Sequence, residues 1–374
     1  MFNIYEKGEI SLILYLEFKK EGIKVKKWFS KILTILLTLS FVMVPCVTSA
    51  NAKTQLDKTI KVQFNDSTYA NLPAEERGKA KLKDAGLPEK AVGHLSKEML
   101  EEVADSQEIE NSQSYFVEEF QLKMSPIDQD NSKMKQVNEQ DFKIAVEEEK
   151  RRTANDGNQI MPLNDIGFEV DGPVTSMDNG KLIVNCAHTK LGSNHYLVFA
   201  AFQWVTMPNY RNTDYFSYVI KDSNYWSTDA NTANAFYGYI KKTRSISKGA
   251  SGWQYGPYNS SDIYVDIPSA KLKVPDGSLK GYYFDVDVLD DRTPILIWGN
   301  MTYTETKYYD LIGMFAMKGI VQTNKRIDTQ AAYFHQTKSL IFSSASLTSA
   351  PSVGVSISPE SKFSPCRRED NIQN

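Results

Sequence analysis

The sequence predicts a mainly β protein, in which an antiparallel β-sandwich follows a small helical α+β region at the N-terminal side. Charge and aromatic content divide the chain near residue 160. Residues 53–160 carry 16 basic and 22 acidic groups with six aromatics, whereas residues 161–374 carry 20 of each sign and 30 aromatics. The aromatic half is a series of short apolar or alternating runs separated by turn residues, which is typical of a sandwich. We therefore place the polar region at 53–158, the sandwich at 159–360 and a polar tail at 361–374.

Residues 25–52 have the pattern of a secretory signal peptide. Lysines at positions 24, 26, 27 and 31 precede an apolar run over residues 32–44, and Ala50 and Ala52 supply the small residues that signal peptidase requires. Cleavage is expected after Ala52, so that the mature protein begins at Lys53 and is secreted. Residues 1–24 precede the charges that normally open a signal, and we interpret them as a leader; Met1 and Val25 both stay open as the true start.

The polar region is expected to alternate short strands and helices. Alternating apolar residues predict strands over 59–64 and 114–124. Two short helices are predicted within 82–105, the second with Ser96 as its N-cap, and a longer helix over 137–152. Export disfavours a DNA-binding role for the two short helices. This region is interpreted as a small packing unit or a removable pro-segment.

The sandwich region contains a run of strand signals. Residues 195–205 are apolar at both alternating sets of positions, which predicts a central strand covered on both faces. Residues 181–188 alternate and are joined to that strand by a turn. Further strands are predicted at 214–220, 235–241, 262–267, 280–289, 295–304, 312–322 and 339–347, the last running on towards Ile357.

Composition narrows the classes of function. Residues 53–374 carry 36 basic and 42 acidic side chains, a net charge of −6, and a mildly acidic chain lacks the basic footprint that nucleic acid requires. No segment after residue 52 is long and apolar enough to span a membrane. The sequence contains no G-x-S-x-G, H-E-x-x-H, P-loop or dinucleotide-binding pattern, so an enzyme is not favoured. Cys186 and Cys366 are open to two interpretations, a disulfide or two thiols.

Two groups of residues are candidate metal ligands. His188 and His195 flank the turn between the first two sandwich strands, and neutral imidazoles are ligands for zinc or copper. Asp285 and Asp287 share one face of a predicted strand, where carboxylates bind calcium or act on a glycan. A solvated polar face explains the aspartates equally simply. No cofactor is predicted, and calcium is the ion that the aspartates would take.

Aromatic residues in polar loops are the main candidate for a binding surface. Tyr225, Trp226, Trp253, Tyr255 and Tyr258 stand among Ser, Asn and Gly, a composition that suits recognition of a glycan, a protein or a cell surface. The first hypothesis is therefore a non-enzymatic extracellular binding module.

Two other functions stay open. Residues 339–358 are Ser-rich and partly alternating, as in the membrane hairpins of pore-forming proteins, which makes a membrane-active protein the alternative. A metal-dependent or glycan hydrolase is the third hypothesis.

Overall fold

Strands dominate the structure of residues 53–374, which form one compact unit in a computed structural model. The described residues are 57–121, 131–156, 180–208, 211–221, 223–249, 252–275, 280–292, 302–336, 346–350, 354–358 and 363–373. The predicted leader, the predicted signal peptide and most of the predicted linker near residue 158 lie outside them.

Sheet A is an antiparallel sheet of nine strands. Its strands are β1 (Asp57–Gln63), β2 (Glu108–Gln121), β3 (Asn131–Val137), β4 (Lys181–Lys190), β5 (His195–Thr206), β7 (Trp226–Gly249), β8 (Gly252–Tyr255), β9 (Asn259–Ile267) and β11 (Thr302–Val321). They are ordered β1-β2-β4-β5-β11-β7-β8, with β3 paired to β2 and β9 paired to β7.

Sheet B has four strands in the order β10-β6-β12-β15 and packs face to face on sheet A. Its strands are β6 (Thr213–Ile220), β10 (Lys280–Asp287), β12 (Arg326–Gln336) and β15 (Phe363–Gln373). Aromatic rings fill the space between the sheets: the ring centre of Phe202 on β5 lies 4.8 Å from that of Phe216 and 4.6 Å from that of Tyr333. The predicted antiparallel sandwich is therefore confirmed.

Helices cover the opposite face of sheet A. The helices are α1 (Asp66–Tyr69), α2 (Ala74–Asp84), α3 (Glu89–Gly93), α4 (Lys97–Ala104) and α5 (Glu139–Asp156). Leu82 and Leu100, from α2 and α4, share a buried cluster with Leu197 and Phe199 of β5. Strand β5 is thus covered on both faces, as its sequence predicts, and Ser96 caps α4 by accepting the Met99 amide at 3.3 Å.

The polar N-terminal region is an integral part of the sandwich, which corrects the expected boundary at residue 158. Strand β2 lies between β1 and β4 and pairs with β4 from Ile109 to Val117. Its polar side chains are buried and bonded: Asn111 donates to the Ala85 carbonyl at 2.8 Å, and Gln113 donates to the Gly86 carbonyl at 2.9 Å. Composition alone does not predict that β2 is buried, because its polar side chains donate hydrogen bonds to backbone carbonyls at the end of a helix.

The expected polar tail is also wrong, since residues 363–373 form β15. This strand pairs with β12 along its whole length, and its buried residues alternate through Cys366, Arg368, Asp370 and Ile372. Neither β12 nor β15 was predicted from the sequence, because polar as well as apolar residues occupy the buried positions of both strands. Both Cys186 and Cys366 are free, buried thiols, and burial raises the pKa of each.

A two-stranded hairpin, β13 (Ser346–Ala350) and β14 (Gly354–Ser358), forms a third sheet. It pairs from Ser346↔Ser358 to Ala350↔Gly354, and β14 lies against β6 and β12 of sheet B. This agrees with part of the strand predicted over 339–347 and beyond; its first residues lie outside the described ones. Among the described residues, no helix has the length and apolar character needed to cross a membrane.

Candidate functional site

The long strands β7 and β11 build a platform at one end of sheet A. Residues 302–309 of β11 pair with residues 240–247 of β7, and β8 adds a strand beside residues 246–249. Gly252 opens β8 at φ +118°, a conformation that L side chains rarely adopt, so glycine permits the chain to reverse there. The reversal carries the aromatic residues of 253–258 onto the platform.

Arg244 is the centre of this platform. Its guanidinium carbon lies 4.7 Å from the ring centre of Tyr255 and 4.6 Å from that of Tyr258, and its Nε donates to the buried carboxylate of Glu305. The Tyr258 hydroxyl donates to the same carboxylate at 2.7 Å. An arginine between two tyrosine rings, with its charge paired beneath them, holds both rings in place before any ligand arrives.

The electrostatics of this group agree with its hydrogen bonds. Burial tends to raise the pKa of Glu305, but the hydrogen bonds from Tyr258 and Arg244 and the nearby Lys307 outweigh it and lower that pKa. Burial and the adjacent Glu305 raise the pKa of the Tyr258 phenol. At neutral pH the carboxylate is therefore ionised and the phenol keeps the proton that it donates.

Further rings and cations extend the platform on both sides. The Lys242 ammonium lies 4.7 Å from the ring centre of Tyr309, and the Lys248 ammonium lies 5.9 Å from that of Trp253. The Trp253 and Tyr303 rings meet edge-on at 6.1 Å. We define the aromatic–basic patch as Lys242, Arg244, Lys248, Trp253, Tyr255, Tyr258, Tyr303, Glu305 and Tyr309.

The patch offers flat ring faces and cations to solvent. Tyr255 is 49% exposed, Tyr258 39% and Tyr309 36%, which places three of the large exposed apolar side chains of the described residues in one area. Rings of this kind stack on sugar faces or apolar surfaces, and the adjacent cations attract anionic or dipolar groups. The arrangement supplies binding chemistry.

The structure unites three of the five predicted binding residues. Trp253, Tyr255 and Tyr258 lie in the patch, whereas Tyr225 is exposed on a separate turn with the Lys325 ammonium 4.7 Å from its ring centre. Trp226 corrects the prediction: only 2% of it is exposed. Its indole N–H donates to Thr228 at 2.8 Å, and its ring lies over Gly319 of β11. Trp226 therefore belongs to the core.

The predicted histidine ligands do not face each other. His188 stands opposite Val198 in the β4–β5 ladder, and His195 is exposed opposite Ile320. His188 lines a polar groove of about 830 Å³ and places Nδ1 2.9 Å from Asp370 Oδ2. The Ser112 hydroxyl donates to the other oxygen of Asp370 at 3.1 Å, so its hydrogen bond goes to the carboxylate and not to the imidazole of His188. That is not the geometry of a Ser-His-Asp nucleophile.

The predicted aspartate ligands are engaged in separate contacts. Asp285 binds the Lys273 ammonium through both carboxylate oxygens at 2.6 Å. Asp287 accepts hydrogen bonds from Thr213 at 3.3 Å and Tyr237 at 3.5 Å. Within the described parts of the chain, no group of three or more His, Cys, Asp or Glu side chains is placed to hold a metal ion.

Sequence reasoning missed the residues that organise the patch. Arg244 and Glu305 are direct partners across β7 and β11 but lie 61 positions apart in the chain. Lys242 and Tyr309 likewise come from different strands. Alternation of Lys242, Arg244 and Lys248 along a polar strand was the one local signal available, and it does not reveal which strand lies beside it.

Comparisons with known proteins identify no family. No family model matches the sequence, and no curated protein matches it. Among solved structures, the chain is similar to a pore forming protein (8% identity, 51% of this chain and 84% of that chain, TM-score 0.19) and to Clostridium perfringens delta-toxin (10% identity, 53% and 84%, TM-score 0.19). It is also similar to the Clostridium perfringens NetB toxin in its membrane-inserted form (10% identity, 52% and 91%, TM-score 0.18). Similarities this slight do not define a family.

Proposed function

We propose that this protein is a secreted, non-enzymatic module that binds an extracellular surface through the aromatic–basic patch. The main support for this proposal is that the Arg244 guanidinium contacts the exposed rings of Tyr255 and Tyr258 and is paired with the buried Glu305 carboxylate. A group of exposed rings that is rigid before binding loses little conformational entropy on contact, and exposed aromatics of this kind become the strongest contributors to affinity. The partner is a glycan, a protein or a cell surface.

Removal of one ring should weaken binding without weakening the fold. We expect Tyr255→Ala to raise Kd about 30-fold, since a buried aromatic anchor contributes about 2 kcal/mol to binding. The thermal midpoint should stay within a degree or two, because Tyr255 is half exposed in the free protein. Binding is measured on a glycan array, on immobilised extracellular protein and on erythrocyte membranes.

Tyr225→Ala is the matched control, because Tyr225 is also an exposed tyrosine beside a cation but lies outside the patch. It should leave Kd unchanged. Equal losses in the two variants, or no binding to any of the three surfaces, would contradict the proposal.

A second candidate function is membrane activity, and it is favoured by the hairpin β13–β14. The hairpin pairs with neither sheet of the sandwich and lies against β6 and β12. Its sequence alternates Val355 and Ile357 with Ser356 and Ser358, the pattern of a strand that faces lipid on one side and water on the other.

A charge placed on one side of this hairpin should affect dye release differently from a charge placed on the other side. If the hairpin enters a bilayer, Val355→Asp should reduce dye release from phosphatidylcholine vesicles at least tenfold, because a charged side chain on a lipid-facing strand destabilises the inserted state. Ser356→Asp, one residue away on the other side, should retain release. Absence of dye release by the unaltered protein would eliminate this candidate and leave the patch proposal untouched.

A further inference from the structure

Two lysines stand directly opposite each other at the border of the aromatic–basic patch. Lys242 of β7 is the pairing partner of Lys307 of β11, so both side chains lie on the same face of sheet A. The neighbour of Lys242 on its other side is the uncharged Ser260 of β9. Like charges that are directly opposite in an antiparallel pair destabilise the sheet. A pair that breaks this rule of sheet stability points to a functional position.

The chain supplies too little negative charge to balance this pair. In the described ranges, neither Asp262 of the neighbouring β9 nor any other carboxylate forms an ion pair with the Lys242 ammonium. The Lys307 ammonium lies 3.8 Å from Glu305 Oε1, and the other oxygen of Glu305 accepts a hydrogen bond from Arg244. Three cations, Lys242, Arg244 and Lys307, therefore share one carboxylate, which leaves two positive charges uncompensated.

Other carboxylates close to the patch are already engaged. Asp291, whose charge acts on the Tyr309 phenol, places Oδ1 2.6 Å from Nη1 of Arg211. Asp310, the residue after Tyr309, places Oδ2 3.3 Å from the Lys90 ammonium of α3. The excess positive charge of the patch is therefore open to a ligand from outside the chain.

The Arg244 guanidinium adds a forked donor to the two ammonium groups. Arg244 lies two residues along β7 from Lys242 and therefore on the same face. Glu305 engages only its Nε, and among the described residues no group accepts a hydrogen bond from its two terminal amino groups. Two parallel N–H donors match two oxygens of an oxoanion, whereas an ammonium acts as a point charge. A fork beside two point charges suits a strongly acidic group that has several oxygens.

Exposed tyrosine rings flank these cations. Tyr255 and Tyr258 contact Arg244, and Tyr309 contacts Lys242. All three rings are among the large exposed side chains of the described residues. Aromatic faces of this kind pack on the C–H faces of sugar rings. A ligand that carries both sugar rings and strongly acidic ester groups would use the tyrosines and the cations together.

We propose that the aromatic–basic patch, with Lys307 at its border, binds a sulfated glycan. The sulfate esters lie against Lys242, Lys307 and the terminal amino groups of Arg244, and the sugar rings pack on the three exposed tyrosines. Nucleic acid is a poorer match, because residues 53–374 carry more acidic than basic side chains and lack the broad basic footprint that it requires. This inference rests on the proposed function of the patch and specifies its partner.

The test measures binding of the protein to a heparin octasaccharide and to its desulfated counterpart, which keeps the sugar rings and the carboxylates. We expect the desulfated ligand to bind at least about tenfold more weakly, since each lost sulfate removes a charge-assisted hydrogen bond. Kd for the sulfated ligand should rise about a hundredfold for each tenfold rise in salt concentration, because neutralising two sulfates releases about two condensed counterions. The same ligand should raise the thermal midpoint, because it binds the native state.

Removal of charge at the lysine pair should weaken this binding without weakening the fold. Lys242→Gln and Lys307→Gln should each raise Kd for the octasaccharide about tenfold, and neither should lower the thermal midpoint by more than a degree or two, because each relieves a like-charge contact. Lys325→Gln is the matched control, since Lys325 also lies over the ring of an exposed tyrosine, Tyr225, but outside the patch. It should leave Kd unchanged.

Several results would overturn the inference. These are no binding to heparin, equal affinity for the desulfated ligand, full displacement of the octasaccharide by inorganic sulfate at equal sulfate concentration, and binding to phosphatidylserine vesicles in place of heparin. In each case the proposed function stands if Tyr255→Ala still weakens binding to a glycan, protein or erythrocyte surface and Tyr225→Ala does not. Equal losses in those two tyrosine variants would contradict the proposed function itself.

Discussion

A chain that begins at Asn158 is expected not to fold. Removing residues 53–157 deletes β1, β2 and β3 from sheet A and exposes the β4 edge along the ladder that runs from Ile109↔Thr189 to Val117↔Lys181. It also uncovers Leu197, Phe199 and Met314, which pack under the helices. An open edge beside an exposed apolar face favours aggregation over a native monomer. We expect loss of near-ultraviolet circular dichroism, loss of a cooperative thermal transition, and elution as aggregate.

The control for this truncation is a chain that begins at Asp57, the first residue of β1, which should unfold like the chain that begins at Lys53. Addition of residues 53–157 as a separate polypeptide should restore some soluble complex, because the missing strands and helices form one continuous piece of the fold. A monomeric 158–374 fragment whose thermal midpoint lies within a few degrees of that of the intact protein would show instead that the polar region is a removable pro-segment.

Gly319→Ala should be among the most destabilising single substitutions in the sandwich. A Cβ at position 319 would lie 2.0 Å from Cζ2 and 2.3 Å from Cε2 of the Trp226 ring, distances at which the ring or the strand must move. Trp226 is 98% buried and has little room to retreat. Overpacking of this kind costs about 3 kcal/mol, which urea unfolding at constant pH measures directly.

A second substitution tests the cause of that loss. Trp226→Leu alone should destabilise the protein by leaving a cavity, but Gly319→Ala added to it should cost far less than Gly319→Ala alone, because the obstructing ring is gone. Gly192→Ala is the matched control, since a Cβ there meets no atom within 4 Å. Strict additivity of the two core substitutions would show that the ring contact is not the source of the effect.

Much of the strand inventory is determined locally by the sequence. The predicted strands over 181–188, 195–205, 214–220 and 280–289 agree with β4, β5, β6 and β10 to within a few residues, because alternation and turn residues act over short distances. The same locality explains why Trp253, Tyr255 and Tyr258 were predicted together. They occupy a single chain reversal, so their proximity needs no knowledge of the rest of the fold.

Only the tertiary structure decides which strands are neighbours, and the aromatic–basic patch depends on that. Arg244 meets Glu305 because β7 pairs with β11. Trp226 stands among polar residues in the sequence, as an exposed aromatic would, but it is buried because its ring lies over Gly319 of β11, which has no side chain. Periodicity reports which face of a strand is apolar, whereas pairing is selected by packing and hydrogen bonding of the whole sheet. The secretory prediction and the strand pattern therefore come from the sequence, and the aromatic–basic patch comes from the fold.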